Sequence, residues 1–454
     1  MPCGYASRAV TPGQIRILGV VAIVALFSAA CTGSAGLGNG TSTTVAGIIE
    51  SSTLPVPAEC GVDLETTPWT EEVSVQAEVV SAAAGADAGV ALALYPRPDY
   101  EGKPWSAWGQ GIAVDDGRFF SSIGDHQGAD GNSFVYEYDP DSMTLTQIVD
   151  VLSVVSHVPG DWGFGKIHAQ MVAGPCGDIF FSTYWGSRRG LTFNDGYQGD
   201  LLLRLDPEAR SVGNLGLILP EHGVASMAAT PDGSLIYAEA ADPFGEKTGS
   251  FVVIDAVTGE TVFEDPNPAH GGYRNIAVGP DGSAYITWNE TGLARYDPTA
   301  NTLTEIGTQL PGGVLRASTV PDASGRVYAV SRDPAVFFSL DPDGAVTELG
   351  AALGYTTTIA LSRDGSRFYY VPDAHGGSWE QGTPLIAVDT ETGESETVVE
   401  LNPLVEARYG LRAGGTYSVA VSADGGTIYV VLNAGDPATR DSFGEVVLAI
   451  VTLP

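Results

Sequence analysis

From Asp161 to Gly190 the chain reads DWGFGKIHAQMVAGPCGDIFFSTYWGSRRG. Lys166 and His168 stand before one apolar run, and Tyr184, Trp185, Arg188 and Arg189 follow a second. The intervening Pro175-Cys176-Gly177 predicts a tight turn, so the two runs pair antiparallel and their outer ends lie side by side. One end of one hairpin then gathers two side chains that can accept a proton, a phenol that can donate one, an indole face and two guanidiniums. Guanidiniums pair with carboxylates or sulfates through two parallel hydrogen bonds. The set therefore points to an anionic ligand.

The elements that hold these residues follow from a repeat. The pattern is an apolar strand, a Gly turn, a second strand, a variable loop, a third strand, an Asp-Pro or Thr-Gly turn and a fourth strand. The first turn recurs at Asp115-Asp116-Gly117, Pro175-Cys176-Gly177, Pro231-Asp232-Gly233 and Pro280-Asp281-Gly282. It continues at Pro321-Asp322 through Gly325, Arg363-Asp364-Gly365 and Ala423-Asp424-Gly425. Seven such turns predict an all-β chain, a seven-bladed β-propeller of four-stranded antiparallel blades. Only three strands are clear after Gly415. The run Glu72 to Val80 is expected to supply the fourth and close the ring.

In this arrangement the first strands begin, and the second strands end, on one face, and the Gly turns lie on the other. His126, His157, His168, His222, His270 and His375 all map to the first face. Of 21 Lys and Arg, Lys166, Arg188, Arg189, Lys247, Arg274, Arg316 and Arg332 map there as well. Arg204, Arg210, Arg295, Arg326, Arg363 and Arg367 map elsewhere. Gln110, Gln170, Ser226, Asn275, Arg316, Thr358 and Ser418 take equivalent places in the seven first strands, a polar ring that suits a water-filled channel or a central ion. Any one of these histidines alone would be explained by solvent. Together they predict a funnel formed by His126, His168, His222, Tyr184, Arg274, Arg316 and His375. Lys166, Gln170, Trp185, Arg188, Arg189 and Asn275 would contact its ligand. Neutral imidazoles of His126, His168 and His375 can also converge on a divalent cation at the channel mouth.

Composition narrows the function further. A net charge of −34 excludes nucleic acid as a partner, since a phosphate backbone needs a basic surface. No Gly-x-Ser-x-Gly, His-Glu-x-x-His, Walker or Cys-x-x-Cys motif occurs. Arg8 and Arg16 precede an apolar run ending in Ser28-Ala29-Ala30-Cys31, so residues 1–30 read as an export signal. The small residues before Cys31 resemble a bacterial lipobox, with Ser28 where Leu is usual. Cys31 is thus the expected lipid anchor to the membrane. Residues 31–59, rich in Ser, Thr and Gly, read as a tether, and residues 60–454 as the propeller. Cys60 and Cys176 remain as an even pair in an oxidising compartment, which predicts a disulfide.

The blade pattern after Cys60 resembles that of secreted bacterial seven-bladed propellers, including polysaccharide lyases of the oligogalacturonate lyase and ulvan lyase type. The resemblance is architectural. It implies elimination at a uronate, with His168 or His222 taking the C5 proton and Tyr184 protonating the leaving oxygen. Arg316 and Arg274 would stabilise the enolate-like intermediate. The sequence lacks a His-x-His metal motif. The same residues also suit a surface protein that holds an anionic glycan or small ligand without turning it over. A third class, a propeller whose loops dock another protein, stays open.

Overall fold

A computed structural model describes residues 64–70, 73–80, 88–100, 102, 105–270, 274–439 and 442–454. The expected export signal, Cys31, the tether and Cys60 lie outside the described residues. Seven antiparallel sheets stand in a ring, with the first strands lining the central channel. The first blade runs Ile112–Ala113, Phe119–Gly124, Ser133–Asp139 and Thr144–Asp150, and the next five repeat that order.

The turns work as their sequence suggests. Gly117 in the first blade and Gly425 in the seventh sit at φ 91° and 78°, where a side chain would be strained. The preceding aspartates close the turns. Asp116 Oδ1 accepts from the Arg118 amide at 3.0 Å, and Asp424 Oδ1 from the Gly426 amide at 2.9 Å. The same bond recurs in the second turns, as at Asp297, which accepts from Thr299 N at 2.9 Å. A good part of the acidic charge is therefore turn chemistry on the far face. Buried tyrosines tie one blade to the next: Tyr237 donates to Gly282 O at 2.6 Å, and Tyr429 to Gly117 O at 3.0 Å across the ring closure.

Closure uses the N-terminal region, but not the expected strand. Gly89–Leu94 pairs with Glu445–Thr452 and completes the seventh blade. Glu78–Val80 adds outside it as a fifth strand, while Ser74–Gln76 pairs with the outer strand of the first blade. Thr66–Pro68 does the same for the second blade. Three blades thus have five strands. The reason is burial on both faces. Val90 and Leu92 pack toward sixth-blade side chains such as Tyr369 and Leu385. Ala91 and Ala93 pack toward Phe119 and Phe134 of the first blade. A strand buried on both sides reads as a continuous apolar run, without the alternation that marks Glu72 to Val80.

Candidate functional site

The approach to each first strand and the exit of each second strand do meet on one face. There they enclose a cavity of about 140 Å³. Trp108, Lys166, His168, Tyr184, Trp185, Arg274, Arg316, Arg332, Tyr355, His375 and Tyr417 line it. In the second blade the backbones of Lys166 and Tyr184 exchange hydrogen bonds of 3.1 and 2.9 Å, which fixes their side chains as neighbours. The His168 ring lies 4.7 Å from that of Tyr184, which stacks on Trp185 at 4.8 Å. Trp185 needs Gly223 beneath it, because a Cβ there would stand 2.6 Å from the indole nitrogen.

Three β-bulges aim the rest. Leu315 pairs with Ser331 and Ala317 with Val330, which leaves Arg316 as the extra residue. Tyr417 is the extra residue between Thr416 and Ser418, and Ala225 between Val224 and Ser226. A bulge turns one side chain out of the strand's alternation. Arg316 and Tyr417 reach the cavity in this way.

The bulge at Ala225 sets a tautomer. His168 Nδ1 lies 3.0 Å from Ala225 O. A carbonyl only accepts, so Nδ1 carries the proton and Nε2 offers its lone pair. Arg274 Nη1 donates to that nitrogen at 2.9 Å. Burial, then the charges of Arg274, Lys166 and Arg316, hold the His168 pKa well below the ordinary histidine range. His375 is pushed down to about 4 by burial and then by Arg316, Arg332 and Arg274. Both rings are neutral at pH 7, and His375 makes no hydrogen bond to a described residue.

Four cations remain. Lys166 is buried, with its ammonium 4.4 Å from the Trp108 ring and 5.7 Å from Trp185. Burial, then Arg274, pushes its pKa down to about 7. Arg316 is also buried and donates to Tyr355 Oη at 2.7 Å and Thr357 O at 3.2 Å. Arg332 lies with its guanidinium carbon 5.9 Å from the same tyrosine ring. No carboxylate lines the cavity, and none of Lys166, Arg274, Arg316 and Arg332 makes an ion pair with a described residue. Away from the cavity the pattern is opposite. Arg295 pairs with Asp281 and Arg326 with Asp341, both at 2.7 Å, and Lys247 pairs with Glu221. Burial raises the pKa of Tyr184 and Tyr417, so both keep their protons as donors. Tyr417 Oη is buried and has no hydrogen-bond partner among the described residues.

Of the residues singled out in the sequence, the cavity brings together Lys166, His168, Tyr184, Trp185, Arg274, Arg316 and His375. His126 stands next to it, its ring 5.2 Å from that of Trp108. His222 does not join. Its Nδ1 lies 2.7 Å from Pro220 O and its Nε2 3.0 Å from Thr248 O, so both ring nitrogens serve the fold. Arg188 donates to Pro243 O at 2.7 Å, and Arg189 lies on an exposed turn outside the cavity lining. Gln170 and Asn275 face the separate channel of about 860 Å³ that opens on the turn face. There Asn275 Oδ1 accepts from Ser318 at 2.7 Å, so Ser318 occupies the ring position expected for Arg316.

His168 is already engaged through both nitrogens, which removes it from an imidazole trio with His126 and His375. The described residues hold no group of three His, Cys, Asp or Glu side chains placed for a metal ion. Arg332, which the sequence mapped to this face, lines the cavity as well, and Trp108, Tyr355 and Tyr417 complete it. Trp108 had a signal: it stands two residues before Gln110, as His168 stands before Gln170.

No protein-family model matches the chain, and no curated protein does. Solved structures do match. One is described as "Streptogramin B lyase structure", at 13% identity and a TM-score of 0.50, covering 79% of this chain and 97% of that one. Another is "Oligogalacturonate lyase in complex with manganese", at 14% identity and a TM-score of 0.50, covering 86% and 98%. At these identities the likeness is one of fold: this chain is a seven-bladed β-propeller similar in architecture to those lyases.

Proposed function

We propose that the cavity holds the acidic end residue of a carbohydrate. The observation that carries this is a set of four cations with no ion pair to a described residue, between aromatic walls in a protein of net charge −34. Desolvated like charges repel, so a fold gains nothing from them alone, and a bound carboxylate would offset the cost. Indole and phenol faces suit the C–H surface of a sugar ring. A space of about 140 Å³ suits one ring, since a cavity of about 150 Å³ holds a benzene. That favours a chain end over a chain interior. Calorimetric titration with galacturonate, short galacturonate oligomers and galactose tests the reading. The acids should bind and galactose should not; equal binding of all, or none, overturns it.

Turnover by β-elimination is a second reading, favoured by one observation. His375 is neutral beside Tyr417, and neither its ring nor the Tyr417 hydroxyl hydrogen-bonds a described residue. Arg274, Arg316 and Arg332 would hold the carboxylate and carry the enolate charge. His375 would take the C5 proton, and the C4–O bond would break to leave a C4=C5 double bond. Tyr417 would give its proton to the leaving oxygen. His168 is the poorer base, because Arg274 occupies its lone pair. The assay is the ultraviolet absorbance of the unsaturated product. His375→Ala should lower the rate by about a hundredfold or more; a rate that falls only with His168→Ala overturns the assignment.

We also propose that the protein is exported and held at the membrane by a lipid on Cys31, on the strength of the leader sequence alone. Cys31→Ser should move it to the soluble fraction; retention with the membrane overturns this.

A further inference from the structure

We infer that the cavity is built for an anion with at least two negative charges, such as a sugar phosphate, a sulfated uronate or a sugar diacid, held between an arginine pole and a lysine pole. This rests on the acidic-carbohydrate reading and narrows its ligand.

The argument is a charge count along the lining. Lys166, Arg274, Arg316 and Arg332 contribute positive charge, and no lining residue contributes a negative one. The buried carboxyl closest to the question is Asp200, which acts electrostatically on Tyr184. It does not neutralise the cluster. Its oxygens are taken by Tyr197 Oη at 3.1 Å and Val224 N at 2.7 Å, and burial favours its neutral form. A single carboxylate brings one negative charge and offsets one of the four cations, however many guanidiniums it touches. The remaining cations would then still lack a partner.

Their arrangement is also two-sided. Arg316 and Arg332, both of the fifth blade, lie with their guanidinium carbons 5.4 and 5.9 Å from the ring centroid of Tyr355 on the sixth. Lys166 belongs to the second blade and rests on Trp108 and Trp185. Arg274 stands between, fixed to His168. The Lys166 ammonium makes no hydrogen bond to a described residue, and Tyr417 Oη is buried without one. An unmet donor at the lysine pole and another beside the arginines are what a second charged group on the ligand would satisfy.

The experiment titrates the intact chain at neutral pH with galactose, galacturonate, galactose 6-phosphate and galactarate. The two dianions should bind about tenfold or more tighter than galacturonate. Lys166→Met should lower dianion affinity by about tenfold and galacturonate affinity by much less. If only the phosphate ester gains, the ligand is an ester; if only galactarate gains, it is a diacid; either supports the two-charge claim. Equal affinity for galacturonate and both dianions overturns it and leaves the acidic-sugar reading standing. Failure of all three anions to bind overturns both.

Discussion

Replacing Arg316 with Met separates a functional cation from a structural one. Arg316 is 4% exposed and gives two hydrogen bonds, to Tyr355 Oη and Thr357 O. Bonds from a charged donor contribute about 1.5–3 kcal/mol each, so the substitution forfeits about 3–6 kcal/mol of gross interaction. Against this, burying a guanidinium without a counter-ion costs several kcal/mol, and Arg274 adds repulsion. Methionine keeps the apolar stem without the charge. The two sums nearly cancel, and the unfolding free energy should change by less than about 2 kcal/mol. Binding has no such offset. Losing one buried pair with an anion costs about 2–5 kcal/mol, or roughly thirtyfold to several thousandfold in Kd. Denaturant unfolding and calorimetry on the same preparation measure both. Loss of more than about 4 kcal/mol of stability with unchanged anion affinity would place Arg316 in the fold and refute the reasoning.

Lys166 should make both stability and binding depend on pH. Its folded pKa is about 7, below the ordinary lysine value of about 10.4, so the unfolded chain binds more protons between those values. Stability should therefore rise as pH climbs from about 7 toward 10, and Lys166→Met should flatten that rise. Anion affinity should fall over the same range as the ammonium is lost; a flat binding profile in the wild type would count against the lysine pole. Peptide mapping without reductant should recover Cys60 linked to Cys176, and Cys176→Ser should cost about 2–4 kcal/mol; separate peptides would end the pairing. Leu92 is fully buried in the closing strand, so Leu92→Ala should cost about 2–5 kcal/mol in equilibrium unfolding, whereas Val79→Ala, 78% exposed on the outer strand, should cost little.

The blades were legible because their turns demand particular residues. Gly117 and Gly425 need positive φ, and Asp116 and Asp424 close the turn with their own side chains. The half of the site on the second blade was legible for a related reason: Lys166 and Tyr184 are paired by a hairpin whose turn shows in the sequence. Gly89–Leu94 escaped because burial on both faces erases alternation. Tyr417 escaped, and Arg316 was assigned to the channel ring, because a bulge shifts the alternation by one residue and leaves no mark in composition. His222 misled because its position on the correct face says nothing of the carbonyls that occupy it.

The outer strands of the N-terminal segment bear on how the propeller meets force. Travelling from residue 64, the chain is stitched first to the second blade by Thr66–Pro68, then to the first by Ser74–Gln76, then to the seventh by Glu78–Val80. Trp69 adds a rivet, its ring 4.5 Å from the Arg210 guanidinium carbon. Once Cys60 is free of Cys176, tension applied ahead of residue 64 meets these three short pairings in turn before it reaches Gly89–Leu94. That strand is gripped by Glu445–Thr452 on one side and Glu78–Val80 on the other. Without that covalent link the belt would act as a mechanical fuse, with the short rim pairings loaded before the closing strand of the ring.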